Sequence, residues 1–513
     1  MKYLSILTLA PLVGALTVAF VPRAKPELAK RLALIWSIVV LAVGVATWVA
    51  YKPGGPRLQL QESYTWIPAW GAKFSFAVDG IALVMIALIA LLVPLVILAS
   101  WHDAEKSKRS VPAYFALLLA LEGTMIGTFT SADVLLFYLF FEVMLVPMYF
   151  IIGSFGTDVP AKQRQYAAVK FFLYSLVGGL LMLAAVIGMW VYGGQTFDWQ
   201  TLTNVEFTTT VQRWLFLGFF IAFAIKAPFF PFHTWLPDAG GAAPAGAAAL
   251  LVGVMDKVGT FGILRYCLPL FPEASRWFAP WAIGLSVIGI IYAALVAIGQ
   301  KDLKRLVSYT SIAHFGFIGV GIFAFTYQAG SGAVLYMVNH GLATGLLFLV
   351  VGMFVARRGS TLVTDFGGAG KLLPVLAGVF FIAGMASLAL PGLAPFVSEF
   401  LVLIGTFTVN KPVAVIATVG IILAAAYVLW MIQRTTQGNT NPALLDLAPM
   451  KRDLSLREGI VVAPLIVLLI VLGFYPKPVL DVINPAVQAT LTDVVTPERA
   501  DPAPATSTVE AGK

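Results

Sequence analysis

Residues 81–99 read IALVMIALIALLVPLVILA, a stretch with no charged or polar side chain. A run of about 20 apolar residues is long enough to cross the hydrocarbon core of a bilayer as a helix, and far longer than a buried strand. Comparable runs recur from one end of the 513-residue chain to the other. Hydrophobic residues make up 59% of it and charged residues only 11%, against about 25% charged in an ordinary soluble chain. The sequence specifies an all-α polytopic membrane protein with no soluble domain of any size. The N-terminus, MKYLSILTLAPLVGALTVAF, places a lysine before an apolar stretch, as a signal peptide does. It lacks a clear small-residue cleavage site and runs into a basic loop, so it reads as the first span.

Fourteen spans are expected, beginning near residues 3, 32, 79, 111, 134, 167, 214, 242, 278, 305, 332, 375, 412 and 458. Assigned to alternate sides, their loops divide the basic residues twenty to eleven. Lys30, Lys170, Lys304 and Arg357 belong to the richer set; Lys52, Arg57, Arg265 and Arg276 belong to the poorer one, together with both termini. Cytoplasmic loops carry the excess of Lys and Arg. Both termini are therefore expected on the non-cytoplasmic side, which requires an even number of spans. The net charge of +8 reports this topology and not a nucleic-acid partner. The aromatic-rich segment 60–78, with Tyr64, Trp66, Trp70, Phe74 and Phe76, is expected along the outer interface. The polar, Pro/Ala/Thr-rich end of the chain predicts a disordered tail over 487–513.

Four ionisable residues interrupt apolar runs well away from their ends: Glu142 in LFYLFFEVMLVPMYF, Lys226 in FAIKAPFFPFHTW, Lys257, and Glu399 in LPGLAPFVSEFLVLIG. A charge at a helix centre costs about 2.5–3.5 kcal/mol on insertion scales, so such residues carry a functional hypothesis. Structural ion pairing is the competing reading. Snorkelling to the interface suits a lysine near a helix end but not Glu142, whose stem is too short.

The positions of Lys226 and Glu399 share a feature. Pro228 and Pro231 follow Lys226, and Pro391, Gly392 and Pro395 precede Glu399. The apolar run 375–410 would reach roughly 54 Å as one helix, against a hydrocarbon core of about 30 Å, so it must bend or break. The two broken spans are the seventh and twelfth. An offset of five inverts orientation, so spans four to eight and nine to thirteen are expected to be inverted repeats, and VGGLLML in span six is echoed by ATGLLFL in span eleven. The corresponding division of the chain is 1–110 for spans one to three, 111–265 and 278–435 for the repeats, 436–486 for span fourteen, and the tail. Broken helices in corresponding positions point to an ion path at mid-membrane.

His314 in SYTSIAHFGFIGVG and His340 in LYMVNHGLATG fall inside spans ten and eleven. Glu142, Lys226, Lys257, His314 and Glu399 together read as a proton relay, with His340 in support. Cys267 is the only cysteine, too few for an internal disulfide or an iron–sulfur cluster. The sequence has no helical His-Glu-x-x-His, no phosphate-binding loop and no nucleophile elbow.

The segments AIKAPFFPFHTWLPDA, DKVGTFGILRY, KDLKRLVSYTSIAHFGFIGVG and LPGLAPFVSEFLVLIG closely resemble the antiporter-like subunits of respiratory complex I, the NADH-quinone oxidoreductase. The resemblance covers roughly spans three to fourteen. It implies fourteen helices, two inverted five-helix repeats and proton translocation driven by quinone reduction elsewhere in the complex. It also implies a bacterial inner-membrane location among other membrane-arm subunits, neighbouring antiporter-like ones included. Flavin, iron–sulfur clusters and quinone would sit in other subunits, with no cofactor in this chain. Carried over by position, Glu142 and Lys226 look like the family's paired Glu and Lys, Lys257 like its central lysine, and Glu399 like its terminal acid. His314 falls in the tenth-helix motif. Subunits of multisubunit Mrp-type Na+/H+ antiporters share these motifs and form the alternative, with a purely structural scaffold as a third reading.

Two departures stand out. Gly240, Gly241 and Ala242 replace the family's usual His and Glu after HTWLPDA, and Asp256 stands beside Lys257 where an apolar residue is common. Adjacent helical residues diverge by about 100°, so Asp256 need not pair with Lys257.

Overall fold

The computed structural model describes residues 2–107 and 109–495. Its long helices are α1 (Tyr3–Ala19), α2 (Pro26–Ala50), α3 (Gly80–Ala99), α4 (Val111–Thr130), α5 (Val134–Phe155), α6 (Ala161–Tyr192), α7 (Thr209–Lys226) and α8 (Ala245–Leu270). They continue as α9 (Pro272–Ile298), α10 (Leu303–Phe323), α11 (Tyr327–Arg358), α12 (Pro374–Ser387), α13 (Ala394–Val409), α14 (Lys411–Thr436), α15 (Leu456–Phe474) and α16 (Lys477–Val495). Eleven helices among the described residues are long and apolar enough to cross a membrane, and α1, α12 and α13 are shorter apolar helices.

The helices sort into an inner and an outer group. The most apolar stretches of α8 and α11 are wholly buried within the chain, whereas those of α2 and α15 are only 28% buried. Outer helices expose Leu16, Val177, Ile422 and Phe474, as faces adapted to lipid do. The inner helices instead carry small residues where backbones meet. A Cβ on Gly332 of α11 would lie 2.7 Å from the Val402 amide of α13, and one on Gly405 of α13 would lie 2.3 Å from the Ala329 amide.

Helix starts follow their capping residues. Asp79 accepts from the Ala82 amide (2.8 Å), Asp133 from Leu136 (3.0 Å) and Asp302 from Arg305 (2.9 Å), each filling an orphan donor of a first turn. Asp133 also accepts from the Lys73 amide at 2.9 Å. That bond ties the start of α5 to an antiparallel hairpin, β1 (Gln59–Ile67) and β2 (Ala72–Val78), with Glu62 opposite Phe76 and Tyr64 opposite Phe74. The hairpin occupies the aromatic-rich segment, for which the sequence predicted only an interfacial location. Glu62 accepts from the Leu4 and Ser5 amides (2.9 and 3.1 Å), placing an anion at the positive end of α1.

The ion pairs respect the alternation of loops. Lys30 with Glu27 and Glu105, Lys170 and Arg305 with Asp238, Lys304 with Asp158, and Arg357 with Glu458 all lie in the arginine- and lysine-rich set. Arg265 with Asp79 and Arg57 with Asp493 lie in the other. Among the described residues no ion pair joins the two sets. The Lys30 ammonium holds the Glu105 carboxyl below the usual carboxylate range.

At the C-terminus the expected tail begins too early. Residues 487–495 belong to α16, whose Val482, Ile483, Ala486, Val487 and Val494 are buried on one side. That spacing covers a helix face, and Arg57 anchors the last turns through Asp493 (2.6 Å). The remainder of the tail, 496–513, lies outside the described residues.

Candidate functional site

The α7 helix stops at Lys226. Residues 227–235 run through turns, and the short helix Leu236–Ala242 follows. The break frees backbone groups, which other groups satisfy locally. Trp235 Nε1 donates to the Ile225 carbonyl at 2.9 Å, and the Phe229 amide donates to Ala224 at the same distance. Such substitution is what lets irregular backbone persist at membrane depth.

Lys226 is 1% exposed, and among the described residues its Nζ has no hydrogen-bond partner. It lies 4.9 Å from the centre of the Phe141 ring and 5.9 Å from that of Phe171, so aromatic faces stand where an ion-pair partner was expected. Glu142 is half-buried, and its Oε1 is likewise without a partner. No direct ion pair forms between the two. The cause is local. Glu142 packs so tightly on α6 that a Cβ at Gly179 would overlap its Oε1.

Lys257 lies between two wide, π-helical turns of α8, Leu251–Met255 and Ile263–Cys267, a distortion frequent at functional positions. Its Nζ donates to the Val252 carbonyl (2.5 Å) and to His340 Nδ1 (2.6 Å). With Nδ1 accepting, His340 Nε2 is the donor to Ser311 Oγ at 2.9 Å. His340, expected only in support, is thus the direct partner of the central lysine.

Glu399 sits on α13, beyond the break in the 375–410 run. Helix α12 ends at Ser387 and α13 begins at Ala394, with positive φ at Ala389 (59°) and Gly392 (94°). The break therefore centres on 388–393, slightly ahead of the Pro391–Pro395 stretch. Pro395 falls in the first turn of α13, where a missing amide costs nothing. Asn339 of α11 donates to the Ala394 carbonyl at 2.8 Å and steadies that first turn.

Glu399 is 4% exposed. Tyr336 donates to its Oε2 at 3.0 Å, and the Tyr336 hydroxyl lies 2.7 Å from His314 Nδ1. With Tyr336 donating onward, His314 Nδ1–H is the donor to Tyr336, which leaves His314 Nε2 as a lone pair without a partner. The His314 and His340 rings lie 5.3 Å apart. Two hydrogen-bonded segments, Lys257–His340–Ser311 and His314–Tyr336–Glu399, thus meet across one short gap.

The sequence reading missed Tyr336 and Ser311, whose residue types are unexceptional in a span. It also passed over Glu122 of α4, fully buried with neither carboxylate oxygen partnered. Glu122 interrupts the apolar ALLLALEGTMIG, the same signal that marked Glu142. The glycines at 240 and 241 have a packing explanation. Added Cβ atoms would lie 2.5 Å from Ser308 Oγ and 2.9 Å from Arg305 Cγ, so larger residues would push the short helix off α10.

A mostly helical membrane chain with interrupted helices and a buried file of ionisable side chains has the build of ion-translocating membrane proteins. Residues 131–424 match the family described as NADH:quinone oxidoreductase/Mrp antiporter, transmembrane, and the chain belongs to that family. It is 47% identical to NADH-quinone oxidoreductase subunit M of Mycobacterium tuberculosis over 98% of this chain and 96% of that one. It is 39% identical to subunit M of Rhodobacter capsulatus over 94% and 95%. Among solved structures, a chain of respiratory complex I from Thermus thermophilus superposes with a TM-score of 0.86 at 29% identity, over 96% of this chain and 100% of that one. A chain of the Mrp complex from Dietzia shares the fold at 21% identity, with a TM-score of 0.82 over 97% and 100%.

Proposed function

We propose that the chain is a proton-translocating membrane subunit of a bacterial NADH-quinone oxidoreductase, occupying the place of subunit M among the other antiporter-like subunits of the inner-membrane arm. Quinone reduction and its flavin and iron–sulfur chemistry belong to other subunits, and this chain binds no cofactor. In this reading it has fourteen spans, with α12 and α13 forming one broken span, and both termini face the non-cytoplasmic side. Helices α4–α8 and α9–α14 form the two inverted repeats. Full-length identity to curated subunit M proteins favours this reading over an Mrp-type Na+/H+ antiporter, for which the support is a shared fold.

The observation that carries the mechanism is the nearly continuous buried file from Lys257 to Glu399. Burial disfavours the charged form of an ammonium, and a nearby carboxylate favours it. When the charge at Glu142 changes or withdraws, Lys226 releases its proton toward Lys257. Lys257 hands a proton to His340, and Ser311 marks the way to His314 Nε2. As a proton arrives there, His314 Nδ1–H passes one to the Tyr336 oxygen while Tyr336 gives its own to Glu399. Each step moves one proton; afterwards His314 holds Nε2–H and the Tyr336 hydrogen faces His314, so the tautomer and the hydroxyl turn back before the next transfer. Glu399 then releases to the far side.

The separation of Lys226 from any direct partner fits a switch better than a structural ion pair, which would be held closed. Lys226→Arg tests this, because a guanidinium keeps its charge and passes no proton. The complex should assemble and its proton uptake in native vesicles should collapse. Full activity in the Arg variant would show that a permanent charge suffices and would return Lys226 to a structural role.

A further inference from the structure

We propose that Asp256 is a further proton-carrying residue of the relay, standing between Lys226 and Lys257; the inference rests on the relay reading above. Asp256 is fully buried, and among the described residues neither of its carboxylate oxygens has a hydrogen-bond partner. A buried carboxyl in that condition is costly, which asks for a reason to keep it.

Its placement supplies one. Gly259, one turn further along α8 and on the same face as Asp256, lies directly against the end of α7. A Cβ there would be 2.4 Å from the Phe223 carbonyl and 2.6 Å from the Ala227 amide. Gly262 continues the face, with a Cβ that would meet the Phe223 ring. Two glycines thus seat α8 on the last turn of α7, the turn that ends in Lys226. Lys257, about 100° round the helix, turns the other way, to His340 on α11. Helix α8 therefore presents a carboxyl towards the lysine of the first half and an ammonium towards the histidine of the second.

The transfer balances simply. The Lys226 ammonium gives a proton to the Asp256 carboxylate, leaving an amine and a carboxylic acid. The acid then protonates the Lys257 amine and is restored. No direct contact closes either step, so each uses a side-chain swing or an intervening water.

The test uses the assembled complex in native-membrane vesicles, comparing Asp256→Asn, Asp256→Glu and Lys226→Ala for assembly, NADH-driven quinone reduction and proton uptake. Asn matches Asp in shape but carries no exchangeable acid, whereas Glu keeps the acid on a longer stem. Packing alone would favour Asn and a carrier role favours Glu. The expected result is assembled Asp256→Asn complex with uptake down about tenfold or more, the reading of a lost transfer step, and partial uptake with Glu. Normal uptake in Asp256→Asn beside loss in Lys226→Ala would overturn the role of Asp256 and leave the relay standing. Normal uptake in both would overturn the relay as well. Loss of assembly in both Asp256 variants, or assembled Glu variant without uptake, would assign Asp256 to packing and overturn the proposal.

Discussion

Tyr336 joins His314 to Glu399 through one hydroxyl group, 2.7 Å from the first and 3.0 Å from the second. Tyr336→Phe removes that oxygen and little else. His314 and Glu399 then lose their shared partner, so proton uptake and coupled turnover should fall by about tenfold or more while assembly persists. Native gels run beside vesicle uptake measurements would check it, and unchanged uptake would remove Tyr336 from the path. The lysines and Glu399 were legible in the sequence because an ionisable group in an apolar run carries a large cost. Tyr336 and Ser311 were not, since a hydroxyl in a span finds a partner in many places and costs little. The Glu142–Lys226 contact was expected too directly. Which way each side chain turns depends on Gly179 and the Phe141 ring, neither of which is marked by spacing alone.

At the scale of elements, the path depends on α8 lying close to α7. Gly259 and Gly262 allow that approach, and Gly259→Ala would put a methyl group 2.4 Å from the Phe223 carbonyl. Backbone on both sides must then shift, at a cost of about 1–3 kcal/mol from overpacking. The expected result is a lowered yield of assembled complex and a lower thermal midpoint on native gels, with Gly378→Ala, where an added Cβ meets nothing within 4 Å, as an unaffected control. The two helix breaks were legible from proline and length, although the second lies at 388–393 because Pro395 is tolerated in a first helical turn. The hairpin at 59–78 was not. Its aromatic residues read equally as an interfacial belt, and it is fixed there by long-range bonds that spacing does not mark, among them Glu62 with the start of α1, Asp133 with the Lys73 amide and the Ala132 amide with the Ser75 carbonyl.

For the whole molecule, the alternation of loops is visible both in the Lys and Arg tally and in ion pairs that, among the described residues, do not cross between the two sets. The excess of positive charge on one of them predicts that this set faces the cytoplasm. Replacing buried Cys267 by Ala leaves this chain without thiols, and Lys52→Cys and Gln437→Cys can then be introduced at exposed loop positions and read as labelling of this subunit. A membrane-impermeant maleimide applied to intact spheroplasts should label the first, and should label the second only after permeabilisation. The reverse pattern would invert the topology and with it the direction assigned to the relay.

In the proposed relay Glu142 controls Lys226 by charge and not by holding the fold together. Glu142→Gln keeps the size of the side chain and removes its negative charge. If the pair were structural, breaking it would cost about 3–5 kcal/mol and appear as poor assembly. The most direct measurement is proton uptake in native vesicles per assembled Glu142→Gln complex, with Glu142→Asp alongside. Assembly should be normal, with uptake and coupled turnover collapsing together in Gln and partly kept in Asp. Normal assembly with normal uptake in the Gln variant would contradict it.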